Sequence, residues 1–176
     1  MSKRPQTLVC GLFSYGYYMS IKNIFKLLAS LVICQLAGVS GLFFSRSSIS
    51  SWYIFLKKPF FTPPAWVFAP AWILLYLLMA VSAYIIWSHE EDAPRRTNAM
   101  AVFILQLAMN AAWSPVFFGL RSPASGLAVI IILWVLILVT ILEFFKLSKT
   151  AGYLLLPYIV WVSFAALLNA SIVFIN

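Results

Sequence analysis

The chain carries one histidine, and its surroundings argue against ordinary acid–base work. His89 is followed by Glu90, Glu91 and Asp92 in a short polar stretch between two apolar runs, the setting of a solvated connection rather than of a base or a ligand. Glu143 stands near the end of another apolar run, where it reaches water as a helix-end charge. Cys10 and Cys34 have neither metal-site spacing nor the placement of a disulfide pair, and read as small packing residues. No nucleophile stands beside a base, and no histidine lies inside an apolar run to hold haem iron. The sequence therefore predicts no metal site and no conventional catalytic constellation.

Aromatic and amide chemistry is what remains. Gln106, Asn110, Trp113 and Phe117 follow at intervals of four, three and four, which puts them on one helical face. Pro157, Trp161, Ala165 and Asn169 recur every fourth residue, and Ala69, Trp72, Tyr76, Ala80 and Ala83 form a similar stripe. Ala37 and Gly41 add a small-xxx-small pair with Gln35 nearby. Polar groups in an apolar helix are costly and turn toward the bundle interior. Small residues let helices approach, and indoles between them leave a flat-walled slot. Each residue taken alone has a plainer reading: the amides as interhelical hydrogen bonds, the aromatics as interfacial anchors, Pro157 as a kink. Convergence of three indoles, Trp72, Trp113 and Trp161, on interior faces favours a neutral cavity for a large flat apolar ligand.

The elements that must position these residues are membrane spans. The chain is 64% hydrophobic and 9% charged, with a mean hydropathy of +0.99, which is expected where lipid is the solvent. Five apolar segments, 24–44, 64–87, 97–118, 123–145 and 151–175, each reach the ~20 residues a crossing needs. In hydrocarbon their backbones must be helical, because every N–H and C=O has to be satisfied within the segment. The expected fold is an all-α, five-transmembrane-helix bundle forming one domain over residues 23–176. Its connections are short except the first, residues 45–63, where "LKKPFFTPPAWVFAPAW" crowds prolines and tryptophans at the edge of the second span.

Residues 1–22 read as an N-terminal extension. The first 18 have a basic start and a modest apolar run but no small-residue cleavage site, and Met19 opens an ordinary first-span beginning. The net charge of +8 does not indicate nucleic acid, because lysines and arginines lie at the ends of apolar segments, where they snorkel to head groups. Lys3, Arg4, Lys22, Lys26, Arg95, Arg96, Lys146 and Lys149 fall on the N-terminal side, against Arg46, Lys57, Lys58 and Arg121 on the other. That excess predicts a cytoplasmic N-terminus.

Three stretches together carry a family resemblance: "WYIFLKKPFFTPPAWVFAPAWILLYLLMAVSAYIIW", "QLAMNAAWSPVFFGLRS" and "LLLPYIVWVSFAALLNASI". The succession Trp-Tyr, Lys-Pro, Pro-Pro, Gln-x-x-x-Asn-x-x-Trp and Pro-Tyr-x-x-Trp resembles the TspO/MBR family of tryptophan-rich sensory proteins, to which the translocator proteins belong. The match runs over residues 36–176.

That resemblance implies a multi-pass membrane protein, usually a homodimer, of a bacterial cell-envelope membrane. It further implies binding of protoporphyrin IX or a related tetrapyrrole in a pocket closed by the first connection, with no cofactor required. By position in the family's motifs the pocket residues would be Tyr53, Pro63, Phe68, Trp72, Asn110, Trp113, Trp161 and Ala165. Proline fixes φ and removes donors, so "KKPFFTPPAW" would make a stiff aromatic lid. The chain departs from the sterol-recognition pattern of animal members: after Leu168 and Asn169, Ala170 and Phe174 stand where a tyrosine and a basic residue would be. Three functions stay open: a tetrapyrrole receptor or sensor, a light-dependent porphyrin-degrading enzyme with Trp72 and Trp161 as the reactive groups, and a tetrapyrrole or lipid transporter. For the transporter the sequence offers no broken helix pair or internal repeat.

Overall fold

A computed structural model describes residues 21–90 and 92–176 of the chain; of the expected extension at 1–22, residues 1–20 lie outside them, and Ile21 and Lys22 open the first helix. Capping and proline placement set the element boundaries. Helix α1 (Ile21–Ser51) is followed by a single 3-10 turn (Tyr53–Phe55) and an extended, proline-rich connection to α2 (Ala65–Trp87). Asp92 caps α3 (Ala93–Ser114) by accepting the Arg95 N–H at 3.0 Å, with a proline in the first turn. The α3 backbone then widens into a π segment (Pro115–Gly119), because Pro115 has no N–H to continue the ladder. Ser122 caps α4 (Pro123–Leu147), and Ser148 caps the short α5 (Lys149–Leu154). At Leu155 the chain bends into α6 (Leu156–Ile175), whose first turn contains Pro157.

Five spans are long and apolar enough to cross a bilayer: Ile21–Gly41, Ala65–Trp87, Ala93–Gly119, Pro123–Leu147 and Lys149–Ile175. The five-helix expectation holds, with three adjustments. The first connection is shorter than 45–63, since α1 stays helical to Ser51 although its apolar run stops earlier. The third span begins sooner than residue 97, because the Asp92 cap recruits a polar first turn. The fifth is two helices, split one residue ahead of α6 and its Pro157.

The bundle is apolar outside as well as inside, as lipid requires: Phe43, Ile73, Val135, Val160 and Leu167 are all exposed. Helix α3 packs along α4, α1 along α2 and α3, and α4 along α6, while α5 fills the end between α2 and α4. Met79, Ala80, Ile86, Phe103, Ile137, Phe144, Tyr158 and Val162 are among the buried centre. Side-chain hydroxyls tie the helices: Ser82 donates to the Ala151 carbonyl at 2.8 Å, Ser114 to Gly41 at 2.7 Å and Ser48 to Phe118 at 2.9 Å. In a low-dielectric interior such bonds satisfy groups that have no water to turn to. Gly38 lets α1 lie close against α2, since a Cβ there would stand 2.5 Å from the Tyr76 ring. The small pair expected at Ala37 and Gly41 is therefore joined by Gly38, which makes the closer contact.

Candidate functional site: an aromatic and amide interior

The two interior amides of α3 are held by phenols from both flanking helices. Tyr76 of α2 donates to Asn110 Oδ1, Asn110 Nδ2 donates to the Tyr158 hydroxyl of α6 at 2.8 Å, and that hydroxyl donates to Gln106 Oε1 at 3.0 Å. All four residues are buried. A connected polar string of this kind fixes the mutual rotation of three helices, since each amide has one orientation that serves its neighbours. Gln106 and Asn110 face inward as their spacing predicts. Tyr158 is the member of this string that spacing missed; the signal available was a hydroxyl one residue after Pro157 in an otherwise apolar turn.

Aromatic rings extend this string toward the first connection. Trp72 stacks on Tyr76 with ring centroids 5.5 Å apart and meets Tyr158 edge-on at 6.4 Å. Phe68, one turn earlier on α2, meets Trp161 of α6 edge-on at 5.9 Å. Trp113 stacks on Phe117 at 5.0 Å. Edge and offset arrangements are those the aromatic quadrupole favours. Trp72, Trp113, Trp161 and Ala165 are half-buried and pack against the same buried core, so three helices do bring their indoles to one interior. Among the described residues, Trp113 Nε1 and Trp161 Nε1 are buried without a hydrogen-bond partner.

The first connection closes over one end of this interior. Trp52, Tyr53, Leu56 and Phe68 pack with Phe117, Leu168 and Ile172. Tyr53 meets Phe117 at 6.2 Å and Phe118 at 5.6 Å. Burial pushes the Tyr53 phenol above its ordinary pKa, and Lys58 Nζ lies 4.6 Å from its ring centroid in a cation–π contact. The connection is latched to the end of α6: the Lys57 N–H donates to Asn176 Oδ1 at 2.9 Å, and Asn176 Nδ2 donates back to the Lys57 carbonyl at 3.0 Å. Pro63 lies on an open apolar groove of about 520 Å³ between α2 and α6 that it lines with Ala71, Leu75, Pro157, Trp161 and Phe164. Trp161 thus belongs both to this groove and to the interior. Ala69, expected on the inner stripe of α2, is exposed instead, because the inward face there is taken by Phe68 and Trp72.

His89 and Glu143 keep apart from this site, whereas Lys57 and Lys58 lie in its cover. His89 is half-buried at the opposite end and offers its backbone carbonyl to Arg96. Glu143 pairs with Lys146 one turn along α4. Among the described residues no three His, Cys, Asp or Glu side chains come together.

Fold and interior together define a multi-pass α-helical membrane protein with an aromatic, amide-bearing centre beneath a latched connection. The TspO/MBR family matches residues 30–175, and the chain belongs to that family. It is 44% identical over 154 residues to a tryptophan-rich protein TspO of Archaeoglobus fulgidus, covering 88% of this chain and 99% of the relative. A tryptophan-rich protein TspO of Chlorobaculum tepidum is 36% identical, covering 88% of this chain and 98% of that one. The translocator protein of Bos taurus is 34% identical, covering 77% of this chain and 80% of that one.

Proposed function

We propose that the chain is a membrane receptor or sensor for a tetrapyrrole of the protoporphyrin IX type, held between α2, α3 and α6 under the first connection. The observation that carries this reading is the convergence of three half-buried indoles on one core, two of them with buried N–H groups that have no partner among the described residues. Flat aromatic walls suit a flat macrocycle, and a centre without charged side chains among the described residues suits an apolar one. In this reading Trp72, Trp113 and Trp161 stack on the ligand, Ala165 leaves room for it, Asn110 positions the two phenols, and Tyr53, Phe68 and Pro63 form the cover and rim. The names of the relatives, sensory protein and translocator protein, fit a receptor in a membrane, and by the same family likeness we propose a homodimer.

A second reading, light-driven conversion of the bound porphyrin, is favoured by one contact. Trp72 lies against two phenols, Tyr76 and Tyr158, whereas the ring neighbours of Trp113 and Trp161 are phenylalanines.

The test of the receptor reading is quenching of tryptophan emission by protoporphyrin IX in purified protein. Saturable binding of micromolar strength, about −8 kcal/mol, is expected, and Trp161→Ala and Ala165→Phe should each weaken it. Unchanged affinity in both variants would place the ligand elsewhere.

A further inference from the structure

Asn169 is a buried polar group that the fold leaves unexplained. It is 2% exposed, yet among the described residues neither Oδ1 nor Nδ2 has a hydrogen-bond partner. An unpaired buried polar group is costly, and native interiors overwhelmingly pair such groups. A leucine of similar size would carry no such cost.

Its surroundings tie it to the proposed site. Asn169 follows Trp161 and Ala165 at four-residue steps on α6. Across from it, Gly126 of α4 is bare backbone: a Cβ there would lie 3.2 Å from Asn169 Nδ2 and 2.7 Å from Phe117 Cδ2, so the amide and the Phe117 ring meet over the same spot. Phe117 is the ring on which Trp113 stacks. Leu168, the preceding residue, and Ile172, one turn on, pack with Tyr53 and Phe68. The amide therefore lies where the first connection, the α3 wall and the α6 wall join. Lys58 of the connection lies over Tyr53, which meets Phe117.

We propose that Asn169 is a specificity-determining residue that hydrogen-bonds a neutral carboxyl group of the ligand. The inference rests on the tetrapyrrole reading above and adds which end of the ligand is recognised. A carboxylic acid matches a primary amide two for two: its O–H donates to Oδ1 and its carbonyl accepts from Nδ2. The acid binds neutral because an isolated carboxylate without a cation is strongly disfavoured in such surroundings.

The experiment compares protoporphyrin IX with its dimethyl ester, which cannot donate, on the full chain and on Asn169→Leu, by tryptophan quenching. Wild type should prefer the diacid. Asn169→Leu should bind the diacid about tenfold more weakly, the worth of one or two hydrogen bonds, weaken the ester less because only its carbonyl could pair with the amide, and melt no lower than wild type. An unchanged acid-to-ester ratio would overturn the proposal, and so would equal weakening of both ligands, which reports a reshaped site. Asn169→Ser carries the same comparison should leucine prevent folding. Wild-type protein that binds neither ligand would instead overturn the tetrapyrrole reading itself, so the two failures are distinguishable.

Discussion

Replacing Gly38 with alanine tests the joint between α1 and the amide string. The new Cβ would stand 2.5 Å from Tyr76 Cε2, 2.8 Å from Cδ2 and 3.2 Å from Cζ. Carbon atoms settle at about 3.5–4.0 Å, so the ring must retreat by about 1 Å. It cannot do so freely, because Trp72 is stacked on it and its hydroxyl is bonded to Asn110. Overpacking of this kind costs about 1–3 kcal/mol, and a broken Tyr76–Asn110 bond adds about 1 kcal/mol. Alanine's better helix propensity returns at most about 1 kcal/mol, leaving a net loss of about 1–3 kcal/mol. Gly41 is the matched control. There a Cβ would meet Ser114 Cβ at 3.5 Å, an ordinary contact, so Gly41→Ala should be neutral or stabilising by up to about 1 kcal/mol. Thermal unfolding in one detergent, with tryptophan emission as a second probe of the Trp72–Tyr76 stack, measures both. If Gly38→Ala is as stable as Gly41→Ala, Tyr76 does not lie against α1 and the geometry of the amide string is wrong.

Four further outcomes are expected. Asn110→Leu should lower stability by about 1–3 kcal/mol, because it leaves the Tyr76 hydroxyl unpaired while Tyr158 keeps Gln106, read as a lower melting temperature, whereas a neutral outcome would mean that Tyr76 finds another partner. Reporter fusions at Asn176 and in the connection after Glu90 should report opposite compartments, as five spans require; the same compartment at both sites would refute that topology. Asn176→Ala removes the latch on Lys57 and should speed release of a bound fluorescent ligand severalfold in stopped-flow, while an unchanged rate would show that the connection does not gate exchange. If Trp72 and Trp161 react with excited porphyrin rather than merely stacking, Trp72→Phe or Trp161→Phe should bind but form no photoproduct under matched occupancy. Equal product from wild type and both variants would remove the enzyme reading.

The spans were legible because hydropathy over ~20 residues reports contact with hydrocarbon directly. Hydropathy does not report where a helix ends in water, which is why α1 outruns its apolar stretch and α3 begins before its own: both extra pieces are polar turns, the second held by the Asp92 cap. Periodicity found the inward faces of Gln106, Asn110 and the three indoles, since a 3.6-residue repeat fixes direction. It could not say which groups would meet across helices. The pairing of Asn110 with Tyr76 and Tyr158 depends on relative rotation and depth, and nothing local in the chain records either. Ala69 was misplaced for a related reason: a stripe drawn through small residues ignores that Phe68 and Trp72 bracket it and take the space.

The groove between α2 and α6 has a bearing on how affinity must be measured. It faces sideways, into the hydrocarbon, and Trp161 belongs to both groove and interior. An apolar solute arriving by that path is drawn from the lipid phase, where it is already concentrated by partitioning, and not from the water. The relevant concentration is then a mole fraction in the bilayer. An apparent dissociation constant expressed per litre of buffer would rise in proportion to the lipid or detergent added, with no change in the protein, whereas the same data plotted against ligand per lipid would fall on one curve.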